Sequence, residues 1–190
     1  MLLISQNAGN YDIKLPEDCV FRINLAWCNS IQELEEKLSK NRESDFFIDL
    51  PVGRIKPPNN RYSLDDLIPI LEKNKNVKYF AVSNVETKDD LEEFLDKLPN
   101  HMNIVPKIES PNSVLHIDEI CKKLKTDNKM VMLDHDDLFS SIIRNNEDKS
   151  KFQEYIQILI DYCEQNKISL LRTVGVVFSD DEKRTTQYQK

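Results

Sequence analysis

The feature that most constrains the fold is an alternation. Short apolar runs of strand length recur along the chain, and the segments between them repeat their apolar residues at helical spacing. Strands are expected at 20–27, 46–50, 77–83, 104–109, 130–133 and 168–177, with 1–5 as a further candidate. Ser30 caps a helix through Ile31, Leu34 and Leu38, and Glu33 completes a capping box. Ser63 caps the next, with Leu64, Leu67, Ile68 and Leu71 on one face. Helices are also expected at 89–98 and 114–124. The longest, 149–166, carries Phe152, Tyr155, Ile156, Leu159, Ile160 and Cys163 on one face. Strands followed in turn by helices or loops imply a parallel α/β fold. A (β/α)8 TIM-type barrel takes about 250 residues. The expectation is therefore a short or incomplete barrel over 1–178 with a polar tail, 179–190, and an open doubly wound sheet is the competing arrangement.

Composition removes several functions. A net charge of −7 sets the chain against nucleic acid or an anionic membrane as a partner. No apolar run reaches the roughly 18–20 residues of a membrane span. Gly9, Gly53 and Gly175 stand far apart, so neither a dinucleotide fingerprint nor a P-loop can be written. Cys19, Cys28, Cys121 and Cys163 form no C-x-x-C pair. With no secretion signal at the start, four reduced thiols and a cytoplasmic location are expected.

Polar residues at the ends of buried strands carry the chemistry. Arg22 and Asn24 share one face of their strand, and Lys107 and Glu109 share one face of theirs. Asp49 ends another strand, Asp136 and Asp137 follow 130–133, and Thr173 lies in the last. A Glu and an Asp from neighbouring strand ends can hold a hard cation such as Mg²⁺ or Mn²⁺. A lysine beside it can stabilise an enolate oxygen. Taken singly, Lys107 and Glu109 read as a structural ion pair, 134–137 as a solvated loop with a helix cap, and His135 as a polar loop residue.

The order of these segments resembles the catalytic barrel of pyruvate kinase. Residues 20–25 resemble that family's R-x-N-F-S-H strand, and 47–56 its L-D-x-x-G-P-x-I-R segment. Residues 62–67 resemble L-x-x-K-D-x-x-D-L, and 80–85 resemble A-x-S-F-V-R. Lys107, Ile108 and Glu109, with Asp118, Glu119 and Ile120 downstream, resemble K-I-E-N and its D-E-I. Residues 130–138 resemble I-M-V-A-R-G-D-L, and 167–173 resemble K-P-V-I-x-A-T. The resemblance implies a barrel that binds Mg²⁺, K⁺ and phosphoenolpyruvate, pyruvate or a related 2-oxo acid. It also implies enolate chemistry, as phosphoryl transfer or a lyase step. In it Lys107 stabilises the enolate, Glu109 and an aspartate hold Mg²⁺, Arg22 contacts the phosphoryl group and Thr173 lies near the substrate carbon. Ser83, Asn24 and Asp49 fall on the substrate side, the last two in the K⁺ site. Anchoring on D-L selects Asp137 as the aspartate, the preferred choice, and an ungapped strand selects Asp136.

The departures define the alternative. The family's lid domain has no counterpart after Lys56. Asp136 and Phe139 replace glycines, and Ala26 and Leu50 replace hydroxyl residues of the K⁺ site. A non-catalytic barrel serving as a ligand-binding or interaction module is the second expectation. A missing eighth strand further implies a homodimer.

Overall fold

The computed structural model describes residues 2–5, 19–40, 43–53, 57–58 and 60–172. Thr173 and the tail 179–190 lie outside the described residues. The chain divides into two compact units. One holds Met1–Ser83 and Asp89–Val105, the other Asn84–Lys88 and the chain from Pro106 onward.

In the first unit the strands are β1 (Leu2–Ser5), β2 (Cys19–Asn24), β3 (Asp45–Leu50) and β4 (Val77–Val82), each paired in parallel with the next. β3 has a strand on either side. Phe46, Phe47 and Ile48 are all buried, the near-continuous apolar run expected of a parallel strand covered on both faces. Helices α1 (Ile31–Lys40), α2 (Leu64–Lys73) and α3 (Glu92–Lys97) bury Leu34, Leu38, Leu67, Leu71 and Phe94. At Ser63 the capping box is complete, because its side chain accepts from the Asp66 amide while Asp66 accepts from the Ser63 amide.

β5 (Asn103–Ile108) runs from the first unit into the second. The second unit continues with α4 (Pro111–Leu115), α5 (Ile117–Lys123), β6 (Met130–Leu133), α6 (His135–Arg144), α7 (Lys151–Gln165) and β7 (Ser169–Arg172). β5 pairs with β6 and β6 with β7, again in parallel.

The α/β class stands, but the eight-stranded barrel does not. The strands follow chain order from β1 to β7, with β1 and β7 as the two ends of the series. A closed (β/α)8 barrel needs eight strands and has no end strand. Two other local expectations shift. The strand expected over 20–27 stops at Asn24, whose side chain accepts from the Ala26 amide at 2.9 Å and turns residues 25–27 into a short 3₁₀ segment. The helix expected over 114–124 is two helices, broken at His116 (φ −99°, ψ 13°).

Candidate functional site

The second unit gathers its ionisable side chains at the carboxyl ends of β5 and β6. The register pairs Lys107 with Met132 and Ile108 with Leu133. One step further along, Glu109 faces Asp134, and the Asp134 amide donates to the Ile108 carbonyl at 3.2 Å. Strand parity puts Lys107 and Glu109 on one face. The Lys107 Nζ lies 2.6 Å from Glu109 Oε1 and 3.5 Å from Asp134 Oδ2. Both Lys107 and Glu109 are buried. The Asn84 amide donates to Glu109 Oε2 at 2.7 Å, from a backbone turned to a φ of 55°. Asparagine tolerates that left-handed region better than most residues.

Asp134 serves two elements. Its Oδ2 faces Lys107, and its Oδ1 accepts from the Asp137 amide at 3.3 Å, which caps the N-terminus of α6. Carboxylate oxygens of Glu109, Asp134 and Asp137 all lie within 4.8 Å of one another. Three carboxylates thus lie together, and two of them contact one ammonium group. Burial pushes the Glu109 carboxyl up from its ordinary value, and the Lys107 charge and the Asn84 amide only partly oppose this. Next to Asp134 in the chain, His135 is buried and its Nε2 lies 3.4 Å from Arg172 Nη2. Burial, followed by the Arg172 charge, lowers its pKa to about 4, so it is neutral at pH 7.

The donor set suits a hard divalent cation, since it offers only carboxylate oxygens with neither thiolate nor imidazole among them. A cation beside Glu109 would also relieve the burial cost that Lys107 leaves outstanding.

Of the residues singled out from sequence, Lys107, Glu109 and Asp137 come together here. Asp136 is exposed and lies outside the cluster. Arg22, Asn24, Asp49 and Ser83 belong to the first unit. There, Arg22 Nε donates to Asp49 Oδ2 at 3.1 Å and Nη2 donates to the same oxygen, so the two side chains form an ion pair of their own. Asn24 uses its side-chain oxygen to cap the 3₁₀ segment. Ser83 is buried at the end of β4. Thr173 lies outside the described residues.

Three participants were not anticipated. The sequence marks 134–137 as a loop with a helix cap, and the structure adds the contact of Asp134 with Lys107 to the cap. His135 is a buried residue and not a solvated loop histidine. No local pattern marks Asn84, which acts through its backbone.

No family model matches the sequence, and no curated protein matches it. Among solved structures, RipC from Yersinia pestis resembles this chain with a TM-score of 0.59 at 15% identity, over 94% of this chain and 77% of that one. At that identity the likeness shows the fold alone. No helix among the described residues is long and apolar enough to cross a membrane.

Proposed function

We propose that the second unit binds a divalent cation, Mg²⁺ or Mn²⁺, together with a small 2-oxo acid or its phosphorylated enol, and stabilises an enolate. The observation that carries this reading is the buried Lys107 ammonium held between Glu109 and Asp134, with Asp137 completing the acidic group. Glu109 and Asp137 hold the cation in this reading, and Asp134 shares between the cation and Lys107. The bound cation supplies positive charge for the chelating oxygens of the oxo acid. Lys107 supplies a second positive charge, fixed by its two carboxylate neighbours before substrate arrives, so little reorganisation accompanies charge development on the enolate oxygen. Burial of Lys107 and Glu109 strengthens that interaction relative to water. The sequence resemblance to pyruvate kinase supports the same assignment for Lys107 and Glu109. Phosphoryl transfer and a lyase step both fit this chemistry.

A non-catalytic binding module is the second reading. It is favoured by Asp136 and Phe139, which stand where the family's motif has glycines and carry exposed side chains.

Calorimetric titration with Mg²⁺ or Mn²⁺ in the presence of oxalate tests the site. Saturable binding is expected, weakened at least tenfold in Glu109→Gln and little changed in Asp136→Asn. Absence of binding at millimolar metal, or equal binding by Glu109→Gln, removes the proposal. Turnover of phosphoenolpyruvate with ADP, or cleavage of a 2-oxo acid, above a Lys107→Ala control separates the catalytic reading from the binding module.

A further inference from the structure

Helix α6 has two unlike faces. His135, Leu138, Ser141 and Ile142 point inward and are buried. Asp136, Phe139, Ser140, Ile143 and Arg144 follow the spacing i, i+3, i+4, i+7, i+8 and so form a second stripe on one side. Within that stripe Phe139 is 37% exposed and Ile143 is 41% exposed, an apolar pair one turn apart. Phe139 is not loose. Its ring meets Phe152 of α7 edge-on, with centroids 5.2 Å apart. An aromatic side chain already held in place loses little conformational freedom when it is covered.

The stripe is also charged at both ends, with opposite signs. Asp136 stands in the first turn and Arg144 in the last. Among the described residues neither makes an ion pair, and both are exposed. About 12 Å of helix separates them. An α6 helix laid antiparallel to a second α6, with a two-fold axis near Ser140, brings Asp136 of each copy to Arg144 of the other. Phe139 and Ile143 then interdigitate at the centre. The same arrangement sets the helix dipoles head to tail, and a two-fold contact must be self-complementary in this way.

We infer that the exposed face of α6 is a homodimer contact, in which two copies of this chain pair through antiparallel α6 helices. This goes beyond the proposed cation site and does not depend on it. One ten-residue helix per copy falls short of the roughly 1,200 Å² of a standard stable interface, so the association is weak and concentration-dependent.

Sedimentation velocity of the full chain over a wide concentration range tests the inference. A rising average sedimentation coefficient is expected. Phe139→Asp and Ile143→Lys should each weaken association at least tenfold. Phe139 also packs on Phe152, so the decisive variants are at the exposed ends. Asp136→Arg alone and Arg144→Asp alone should each weaken association several-fold, and the two combined in one chain should restore it. Circular dichroism confirms that each variant is folded. A monomer at every concentration overturns the inference, as does a dimer indifferent to Phe139→Asp and Ile143→Lys, or a combined charge reversal that fails to restore association. A monomer would leave the apolar pair for a different partner.

Discussion

Each unit holds a cation and a carboxylate on neighbouring parallel strands, and the two arrangements differ in charge balance. In the first, Arg22 on β2 meets Asp49 on β3, and the guanidinium is partly exposed while the carboxylate is buried. There one guanidinium contacts one carboxylate. In the second, Lys107 on β5 meets Glu109 and Asp134, with Asp137 close by. Two carboxylates meet one ammonium with a third beside them, and Glu109 is held above its ordinary pKa by burial. An acidic excess in a buried setting costs folding free energy unless something positive arrives. In the proposed reading the chemistry belongs to the second unit, and the Arg22–Asp49 pair is read as a structural element.

The largest effects come from removing each cation. Lys107→Met and Arg22→Met each take the cationic partner from a buried carboxylate, which costs about 3–5 kcal/mol. Urea denaturation at pH 8 measures this. The two variants should part company when Mg²⁺ is added at millimolar concentration. A divalent cation can replace the lost charge among Glu109, Asp134 and Asp137, so Lys107→Met should regain part of its stability. Arg22→Met should regain less, because among the described residues Asp49 belongs to no group of three carboxylates that could hold the ion. Equal recovery, or recovery in neither, breaks the comparison.

A second difference lies in the histidines. The unfolded imidazole titrates near pH 6.5, whereas folded His135 titrates at about 4. Between these values the unfolded chain carries a proton that the native chain lacks, so this contribution is full above about pH 6.5 and is lost as pH falls toward 4. The loss is a few kcal/mol, because His135 is buried beside the Arg172 charge. Glu109 acts in the opposite sense. Its raised folded pKa gives stability at low pH that is lost as pH rises through that value. Denaturation in chelator at pH 7 and pH 5, for the wild type and for His135→Leu, isolates the histidine: the wild type should lose more than the variant. In the first unit, half-buried His101 is also lowered, by burial and by Lys75 and Lys78. His101→Leu should flatten the pH profile less than His135→Leu does.

Local periodicity made most elements legible in the sequence. Helix α7 lies within the expected 149–166, with Phe152, Tyr155, Ile156, Leu159 and Cys163 buried as a face. That signal is a property of a short window. Closure of a sheet is not, since it depends on the number and stagger of all strands, and the described residues supply seven. The candidate site was half legible. Lys107 and Glu109 share a face by parity alone, so their union could be read. The family resemblance implies separate roles for Arg22 and Asp49. Their pairing follows from register, because Asn24 lies beside Asp49 and Arg22 sits two residues earlier on the same face. Asp134 was hidden for a different reason. Its cap duty and its site duty fall on one residue, next to an Asp-Asp-Leu run that carries the family resemblance.

The helix caps give the smallest effects and the finest test. Ser63 caps α2 in the first unit, with the Asp66 amide 3.2 Å from its hydroxyl, and has no second role. Ser63→Ala should cost about 1 kcal/mol. Asp134 caps α6 and also adds charge to an acidic excess. Asp134→Ala loses a similar cap free energy and the contact with Lys107, but it relieves repulsion from Glu109 and Asp137, so metal-free protein should lose less than Ser63→Ala does. Asp134→Asn keeps the cap, as asparagine caps about as well as aspartate, and removes only the charge. Its metal-free stability should equal or exceed that of the wild type, while its Mg²⁺ affinity falls. Urea midpoints with and without Mg²⁺ measure both terms. If Asp134→Asn were as destabilising as Asp134→Ala in chelator, the carboxylate charge would be helping the fold, and the acidic excess would not be the strained state that the comparison requires.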